Sequence, residues 1–311
     1  MPSAGGSPRR ARGRARSRLG PGAGLEEGQA VSGEQSFMHR KLGRTGREVF
    51  RLGVASSYGV GAAGVEEAIE RGVDYLYWGS LRASGFAQGL RNACARGLRD
   101  RLVIVVQSYA RFGALLESSV LSALGRLRLE YADVLLLGLW NSPPPPRVLD
   151  AALALRGRGL VRHLGLSTHA RKLLPELAPR GPFDVFHVRY NAAHRGAQWE
   201  VFSKLPTEPA ARPGLVAFTA TRWGTLLEPS GAEGGRVPTA GDCYRFVLSN
   251  PQVDVVMTGP RSVEDVRAAL DALSRGPMDP DEIAWMTAHG DRVHEGARRS
   301  WLFRLLLRTD S

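Results

Sequence analysis

The chain has 311 residues, of which 43% are hydrophobic, and its formal net charge is +12. This length and this hydrophobic content predict a globular protein with a substantial core, and they exclude a chain that is disordered throughout. No apolar run approaches the roughly 20 residues that a membrane-spanning helix needs. The start of the chain lacks the apolar core of a secretory signal, so we expect a cytoplasmic protein with no membrane partner.

The first 37 residues contain an arginine-rich run, SPRRARGRARSRLGPGAG. Such a segment cannot bury enough apolar surface to offset its ordering entropy, which predicts a disordered tail over 1–37. Arginine-rich tails bind nucleic acid or anionic surfaces, and an acid-poor, arginine-rich start is also typical of a transit peptide. A dispensable extension before Met38 is the simpler interpretation, so nucleic acid is not the partner we expect.

From Met38 onward, short apolar runs of strand length alternate with amphipathic runs of helix length. The pattern begins with a predicted β-hairpin that turns at 43–46. Eight further strands are predicted at 52–55, 75–78, 102–107, 134–139, 161–167, 183–188, 215–219 and 253–258. Helical stretches such as VEEAIERG, LLESSVLSALGRLRLE, RVLDAALALRGRG and SVEDVRAALDALSRG lie between them.

Eight β units that alternate with helices predict one domain over 38–311, a closed α/β (β/α)₈ TIM barrel with an N-terminal hairpin and a C-terminal helical extension. NSPPPP at 141–146 reads as a stiff loop after the fourth barrel strand. The terminal run RRSWLFRLLLRTDS predicts a helix packed on the barrel or, alternatively, a small exposed interaction patch. In such barrels the chemistry lies at the C-terminal ends of the strands, so the last residues of each strand are the candidates for function.

Five segments resemble the aldo-keto reductase family in their order and spacing, over about residues 40–273. They are RKLGRTGREVFRLGV, RLRLEYADVLLL, GLVRHLGLST, FDVFHVRYN and VVMTGPRSVEDVRAAL. The resemblance implies an NADP(H)-linked oxidoreductase that reduces a small-molecule carbonyl. A tyrosine would act as the acid, a lysine and an aspartate would tune it, and a histidine would orient the substrate.

The four positions that match this catalytic tetrad carry other residues. Tyr77 stands for the aspartate, Arg82 for the tyrosine, Gln107 for the lysine and Gly138 for the histidine. Hydride transfer to a carbonyl creates an alkoxide that must be protonated or held electrostatically as it forms. The replacement of all four residues therefore predicts that the standard proton transfer is absent, as in a pseudoenzyme.

The roles of these four residues remain open in two ways. A small slip in the alignment would make Tyr77 or Tyr75 the acid, although without a lysine partner. Arg82 would hold a developing oxyanion if it faces the mouth, with Tyr77 or a water supplying the proton, whereas on an exposed loop it would have no role. The aromatic residues of this strand are typical of core or rim packing.

Histidines and cysteines give no metal site. We interpret His163, His169 and His187 as structural histidines, since none has the helix-face spacing with a carboxylate that a metal site needs. The two cysteines, Cys94 and Cys243, lie far apart without metal-ligand spacing, which suits a reducing compartment and indicates no disulfide framework.

The segment TGPRSVEDV predicts a phosphate site. Gly259 turns out of the last strand, Arg261 offers a fork for a phosphate, and Ser262 with Asp265 forms a capping pair at a helix start that favours anions. An ordinary capped helix with a surface arginine would give the same pattern. The resemblance implies that this segment forms the pocket for the 2′-phosphate of NADP(H). It also implies that Asp265 and Ala269 stand in place of two residues that contact the adenine in the family.

The resemblance assigns four more positions to the nicotinamide end. Phe218 takes the place of the ring that stacks on the nicotinamide, His187 replaces a glutamine, and Ser167 and Thr168 stand where a pair usually holds the carboxamide. Three hypotheses follow: an oxidoreductase with a non-standard acid, a pseudoenzyme that binds NADP(H) or a metabolite, and an anionic-surface binder that uses the basic tail. The sequence leaves the substrate and the oligomeric state open.

Overall fold

The computed structural model describes residues 37–79, 83–230 and 235–306. The arginine-rich tail, Arg82 and the last five residues of the predicted terminal run lie outside this part of the chain. In the described part, no helix is both long and apolar enough to span a membrane.

The N-terminal hairpin is confirmed. Strands β1 (His39–Lys41) and β2 (Glu48–Phe50) pair antiparallel around a 3₁₀ turn at Gly43–Thr45. Gly43 has φ 47° and lies so close to Gly214 that a Cβ would be 2.1 Å from the Gly214 nitrogen, so only glycine fits this contact. Because Gly214 begins a barrel strand, the hairpin covers the N-terminal end of the barrel.

Eight parallel strands close into a barrel, as the alternating pattern predicted. Their order is β10-β3-β4-β5-β6-β7-β8-β9. Each is buried along most of its length, which explains why strands covered on both faces read as nearly continuous apolar runs. The strands are β3 (Leu52–Ala55), β4 (Tyr75–Trp78), β5 (Val103–Ser108), β6 (Ala132–Leu137), β7 (Val161–Thr168), β8 (Val185–Arg189), β9 (Gly214–Phe218) and β10 (Val255–Thr258).

Helices surround the barrel and differ from the predicted stretches mainly at their ends. The helix at Pro146 begins within the predicted stiff loop, because proline is well suited to a first helical position. The last helix begins at Pro280, well ahead of the predicted terminal run, and it extends to Leu306. The helices are α1 (Ala62–Glu70), α2 (Ser84–Ala95), α3 (Gly113–Leu127), α4 (Pro146–Gly157), α5 (Leu173–Leu177), α6 (Ala197–Glu200), α7 (Ala240–Leu248), α8 (Val263–Leu273) and α9 (Pro280–Leu306).

A buried ion pair ties the bottom of the barrel together. Arg212 and Asp254 are both fully buried and join through two hydrogen bonds of 2.8 Å. The same carboxylate accepts from the Leu215 amide at 2.9 Å and contacts Arg40 Nε at 3.2 Å. Arg212 lies just before β9 and Asp254 directly precedes β10, so this ion pair lies at the N-terminal end of the barrel strands. The ion pair and the hairpin close that end of the barrel, whereas the C-terminal end is open.

Candidate functional site

A long cleft opens at the C-terminal end of the barrel, with a volume of about 1010 Å³. Its floor lies inside the barrel, and it continues along the loops after β9 and β10 to the start of α8. Residues at the floor are Tyr77, Gln107, Leu136 and His187, and Phe218 lines the cleft at the end of β9. Residues toward the far end are Tyr244, Gly259, Arg261, Asp265 and Ala269. Most of the predicted site residues therefore meet in one cavity.

Tyr77 projects from β4 into this cleft. Burial raises the pKa of its phenol well above the ordinary value, and the hydrogen bond with the neighbouring Tyr109 phenol raises it further. A Cβ on Gly79 would lie 2.3 Å from the Tyr77 ring, so the missing side chain at 79 makes room for that ring. At neutral pH Tyr77 is protonated, but its raised pKa makes the phenol a weak general acid, since proton transfer is most efficient when the pKa lies near the operating pH.

Gln107 and Gly138, which the sequence predicts to stand at the lysine and histidine positions, depend on each other sterically. A Cβ on Gly138 would lie 2.3 Å from Gln107 Nε2 and 2.8 Å from the Tyr109 ring. The Gln107 amide therefore fills the space that a side chain at 138 would need, and Gly138 itself does not line the cleft. Within the described part of the chain, Gln107 Oε1 is buried and accepts no hydrogen bond.

Among the described residues, no lysine lines the cleft. The sequence contains three lysines, Lys41, Lys172 and Lys204, and all of them are exposed residues outside the cavity. The one guanidinium among the described lining residues belongs to Arg261, at the far end of the cleft from Tyr77. Tyr77 thus has no lysine ammonium group beside it to release its proton.

The sequence-predicted histidines lie in three different environments. His187 Nε2 lies 2.8 Å from the Tyr75 hydroxyl, and burial lowers the pKa of His187 to about 3, so its ring is neutral at physiological pH. His163 contacts Asp184 at 3.3 Å and does not line the cleft. His169 is exposed at the mouth, where its ring centroid lies 6.0 Å from that of Phe218.

Of the residues that the sequence predicts to meet a nicotinamide, Phe218 and Ser167 line the cleft and Thr168 does not. Ser167 Oγ accepts a hydrogen bond from the Leu139 amide at 3.0 Å. Thr168 is fully buried, and its hydroxyl bonds to Asn141 and to the Ala170 amide instead. Of the predicted carboxamide pair, only Ser167 lines the cleft, because neighbouring strand residues point to opposite faces. A carboxamide contact by Ser167 stays a prediction.

At the other end, the capping pair forms with one unexpected contact. Ser262 Oγ accepts from the Asp265 amide at 3.2 Å, as a helix cap does, and Ser262 does not line the cleft. The Asp265 carboxylate accepts from the Arg261 amide at 2.8 Å. It therefore takes a backbone donor that an anionic ligand would otherwise use. A Cβ on Gly259 would lie 2.2 Å from the Tyr58 ring, which packs over this glycine.

Sequence reasoning missed three aromatic residues at the mouth: Tyr58, Tyr109 and Trp223, which are 43%, 52% and 62% exposed. All three line the cleft. Each follows the end of a barrel strand by one to five residues, so extending the inspection from strand ends into the following loops would have found them.

No protein-family model and no curated protein matches the sequence. Solved structures do match its fold. An aldo-keto reductase from Bacillus halodurans in its holo form superposes with a TM-score of 0.67 at 20% identity, covering 81% of this chain and 95% of that chain. An aldo-keto reductase from Klebsiella pneumoniae, in complex with NADP and acetate, gives 0.66 at 20% identity over 80% and 94%. A thermostable aldo-keto reductase in complex with the inhibitor epalrestat gives 0.63 at 23% identity over 81% and 99%.

The chain thus has the (β/α)₈ fold of the aldo-keto reductases, which confirms the fold that its five motifs predicted. The likeness covers about four fifths of the chain and nearly the whole of each matching structure.

Proposed function

We propose that this protein binds NADP(H) in the cleft as an aldo-keto-reductase-type barrel, and that it does not reduce carbonyls by the classical proton transfer. The observation that carries the proposal is the continuous cavity from Phe218 inside the mouth to Arg261 at the start of α8. It joins a ring that can stack on a nicotinamide to a cation that can meet a phosphate.

Phe218 and Arg261, at the two ends of the cleft, suit a dinucleotide, whereas Asp265 beside Arg261 does not. Phe218 offers a flat ring at the end of β9, and Arg261 precedes an eleven-residue helix whose free amides favour an anion. The Asp265 carboxylate works against a phosphate at the same place. When bound, the dinucleotide would supply a hydride, and the fold match to a reductase solved with NADP supports this assignment.

The proton is the missing part of the reaction. A positioned acid accelerates such steps typically by about 10²–10⁴-fold, and here the phenol at the floor has a raised pKa and no neighbouring lysine. Gln107 offers a neutral amide in place of a cation. A barrel with this floor binds the cofactor and leaves an ordinary aldehyde or ketone unreduced.

A second candidate is an oxidoreductase with a non-standard acid. The hydrogen bond between Tyr77 and the exposed Tyr109 connects the floor of the cleft to solvent, which would permit a proton relay. In that case substituting phenylalanine at either tyrosine would lower turnover to the same extent. Arg82 and the basic tail lie outside the described residues, so oxyanion binding by Arg82 and anionic-surface binding by the tail stay predictions of the sequence.

Fluorescence titration with NADPH tests the proposed binding. We expect saturable binding by the wild-type chain and a loss of affinity of about tenfold in Phe218→Ala, since base–aromatic stacking contributes about 1–3 kcal/mol. Phe112→Ala is the matched control, because Phe112 is 66% exposed and lies outside the cleft. Absence of saturable binding, or equal losses in the two variants, would contradict the proposal.

A further inference from the structure

A group of basic side chains lies at the mouth of the barrel beside the cleft, and we call it the rim cluster. Arg189 is the last residue of β8, Arg171 precedes α5, and Arg222 follows β9. Three histidines complete the cluster: His169, His194 and His294. Because the His169 ring also lines the cleft and contacts Phe218, the cluster and the cleft share a wall.

The charges of the rim cluster repel one another. Burial lowers the pKa of Arg189, and the nearby Arg171 and Arg222 lower it further. Burial, followed by Arg189 and Arg222, lowers the pKa of His194 to about 4. Holding three guanidinium groups within interaction range is unfavourable unless negative charge balances them.

Too few carboxylates of the described residues face the cluster to supply that balance. Glu200 pairs with Arg171 through a short contact between Oε2 and Nε. Arg222 Nη1 donates to the carbonyl of Val293 at 3.0 Å, which is a neutral partner. The Arg189 side chain forms no ion pair with a described carboxylate, and its Nε has no hydrogen-bond partner among the described residues. Two cations of the cluster therefore lack a counter-charge from this part of the protein.

Two polar atoms of the rim cluster are buried without a partner. They are Arg189 Nε and His294 Nδ1, neither of which has a hydrogen-bond partner in the described ranges. Buried polar atoms of native proteins are nearly always hydrogen-bonded, so each exception calls for an explanation. A bound anion would accept from Arg189 and neutralise the repulsion at the same time.

The backbone around the cluster is held in place. Buried Asn191 donates from Nδ2 to the Thr219 carbonyl at 2.8 Å, and its Oδ1 accepts from the amides of Ala193 and His194. The loop after β9 keeps Thr219 and Arg222 at φ 58° and 52°, in the left-handed region that non-glycine residues rarely adopt. Such strain persists only where surrounding structure enforces it, and it concentrates at functional sites.

We propose that the rim cluster is an anion-binding subsite that takes the carboxylate or phosphate group of a small molecule whose remainder enters the cleft past His169 and Phe218. The subsite lies at the ends of β7, β8 and β9, away from Arg261 and the start of α8. It is therefore a different site from the proposed phosphate pocket of the dinucleotide, and it does not depend on dinucleotide binding.

Calorimetric titration with inorganic phosphate and with succinate, at constant ionic strength set by chloride, tests the subsite. We expect saturable binding of at least one anion by the wild-type chain, and the stronger of the two identifies the anionic group. Arg189→Met should raise the dissociation constant by about tenfold or more. Arg96→Met is the matched control, because Arg96 is an exposed arginine paired with Glu70 at 2.7 Å, and it should bind as the wild type does.

Two further measurements separate the subsite from its competitors. Phosphate binding should persist in Arg261→Gln, and its loss there would overturn the proposal by placing the anion in the dinucleotide pocket. In the wild-type chain, added anion should raise the pKa of His194 in an NMR titration, because a nearby negative charge favours the protonated imidazole. This measurement does not depend on whether any variant folds. No saturable binding, equal binding by Arg189→Met, or an unmoved His194 would each overturn the assignment.

Discussion

Opposite effects of Arg261 and Asp265 on cofactor choice are a sharp prediction of the proposed dinucleotide site. Both residues line the far end of the cleft, and the Asp265 carboxylate accepts from the Arg261 amide. The 2′-phosphate of NADPH would gain a charge-assisted hydrogen bond from the Arg261 side chain and meet repulsion from Asp265. NADH lacks that phosphate, so neither substitution should change its affinity.

The magnitudes follow from the exposure of the two groups. A hydrogen bond to a charged group contributes about 1.5–3 kcal/mol, and Arg261 is exposed, so we take the lower end of that range. Arg261→Gln should therefore weaken NADPH by about tenfold. Repulsion between unit charges about 4 Å apart in water is about 1 kcal/mol, so Asp265→Asn should strengthen NADPH by about fivefold while keeping the oxygen that accepts from the Arg261 amide.

Parallel fluorescence titrations with NADPH and NADH measure both effects. Arg267→Gln is the matched control, because this arginine of α8 forms an ion pair with Glu67 and does not line the cleft. The reasoning is refuted if Arg261→Gln weakens NADH as much as NADPH, or if Asp265→Asn weakens NADPH.

Three more predictions concern stability and the floor of the cleft. Asp254→Asn leaves a buried guanidinium without its counter-charge and should lower the free energy of unfolding, measured with denaturant, by about 3–5 kcal/mol. Asp271→Asn is the control, because Asp271 belongs to an equally short but exposed ion pair, and it should cost less than about 1 kcal/mol. Equal losses of stability in the two variants would contradict this prediction. His187 has a pKa of about 3 in the folded protein, below its unfolded value, so the native state binds fewer protons and stability should fall as pH drops from about 6.5 toward 3. His187→Gln should flatten that dependence, and an unchanged pH profile would argue against a neutral buried ring. Gln107→Lys should lower the pKa of the Tyr77 phenol, seen by NMR titration against Tyr77→Phe; no change would mean that the two side chains do not interact.

The barrel was predictable because its strands are buried on both faces and its turns carry glycine and proline. Each strand therefore appears in the sequence as a short apolar run bounded by turn residues, which can be recognised without knowing any distant contact. The cleft was predictable in part, since the ends of eight strands must meet at one face. Thr168 shows the limit, because it adjoins Ser167 in the sequence but the alternation of strand side chains places its side chain in the core and out of the cleft. Period-two reasoning applied to β7 would have separated the two.

Contacts between distant segments could not be predicted. The mutual fit of Gln107 with Gly138 depends on how two neighbouring strands are staggered. Likewise, the rim cluster draws its side chains from the ends of β7, β8 and β9 and from α9, so no stretch of sequence carries its pattern. Only the position of Arg189 at a strand end gives a local signal, and charge on an exposed rim is common enough to hide it.

The central claim is that the cleft holds NADPH without a group able to protonate a new alkoxide. Its most direct test is to mix NADPH-saturated protein with a panel of aldehydes and ketones and to follow the nicotinamide absorbance. We predict full occupancy of the cofactor site and no absorbance loss beyond that of Tyr77→Phe or of a protein-free mixture. Rapid oxidation of NADPH that disappears in Tyr77→Phe would contradict the account.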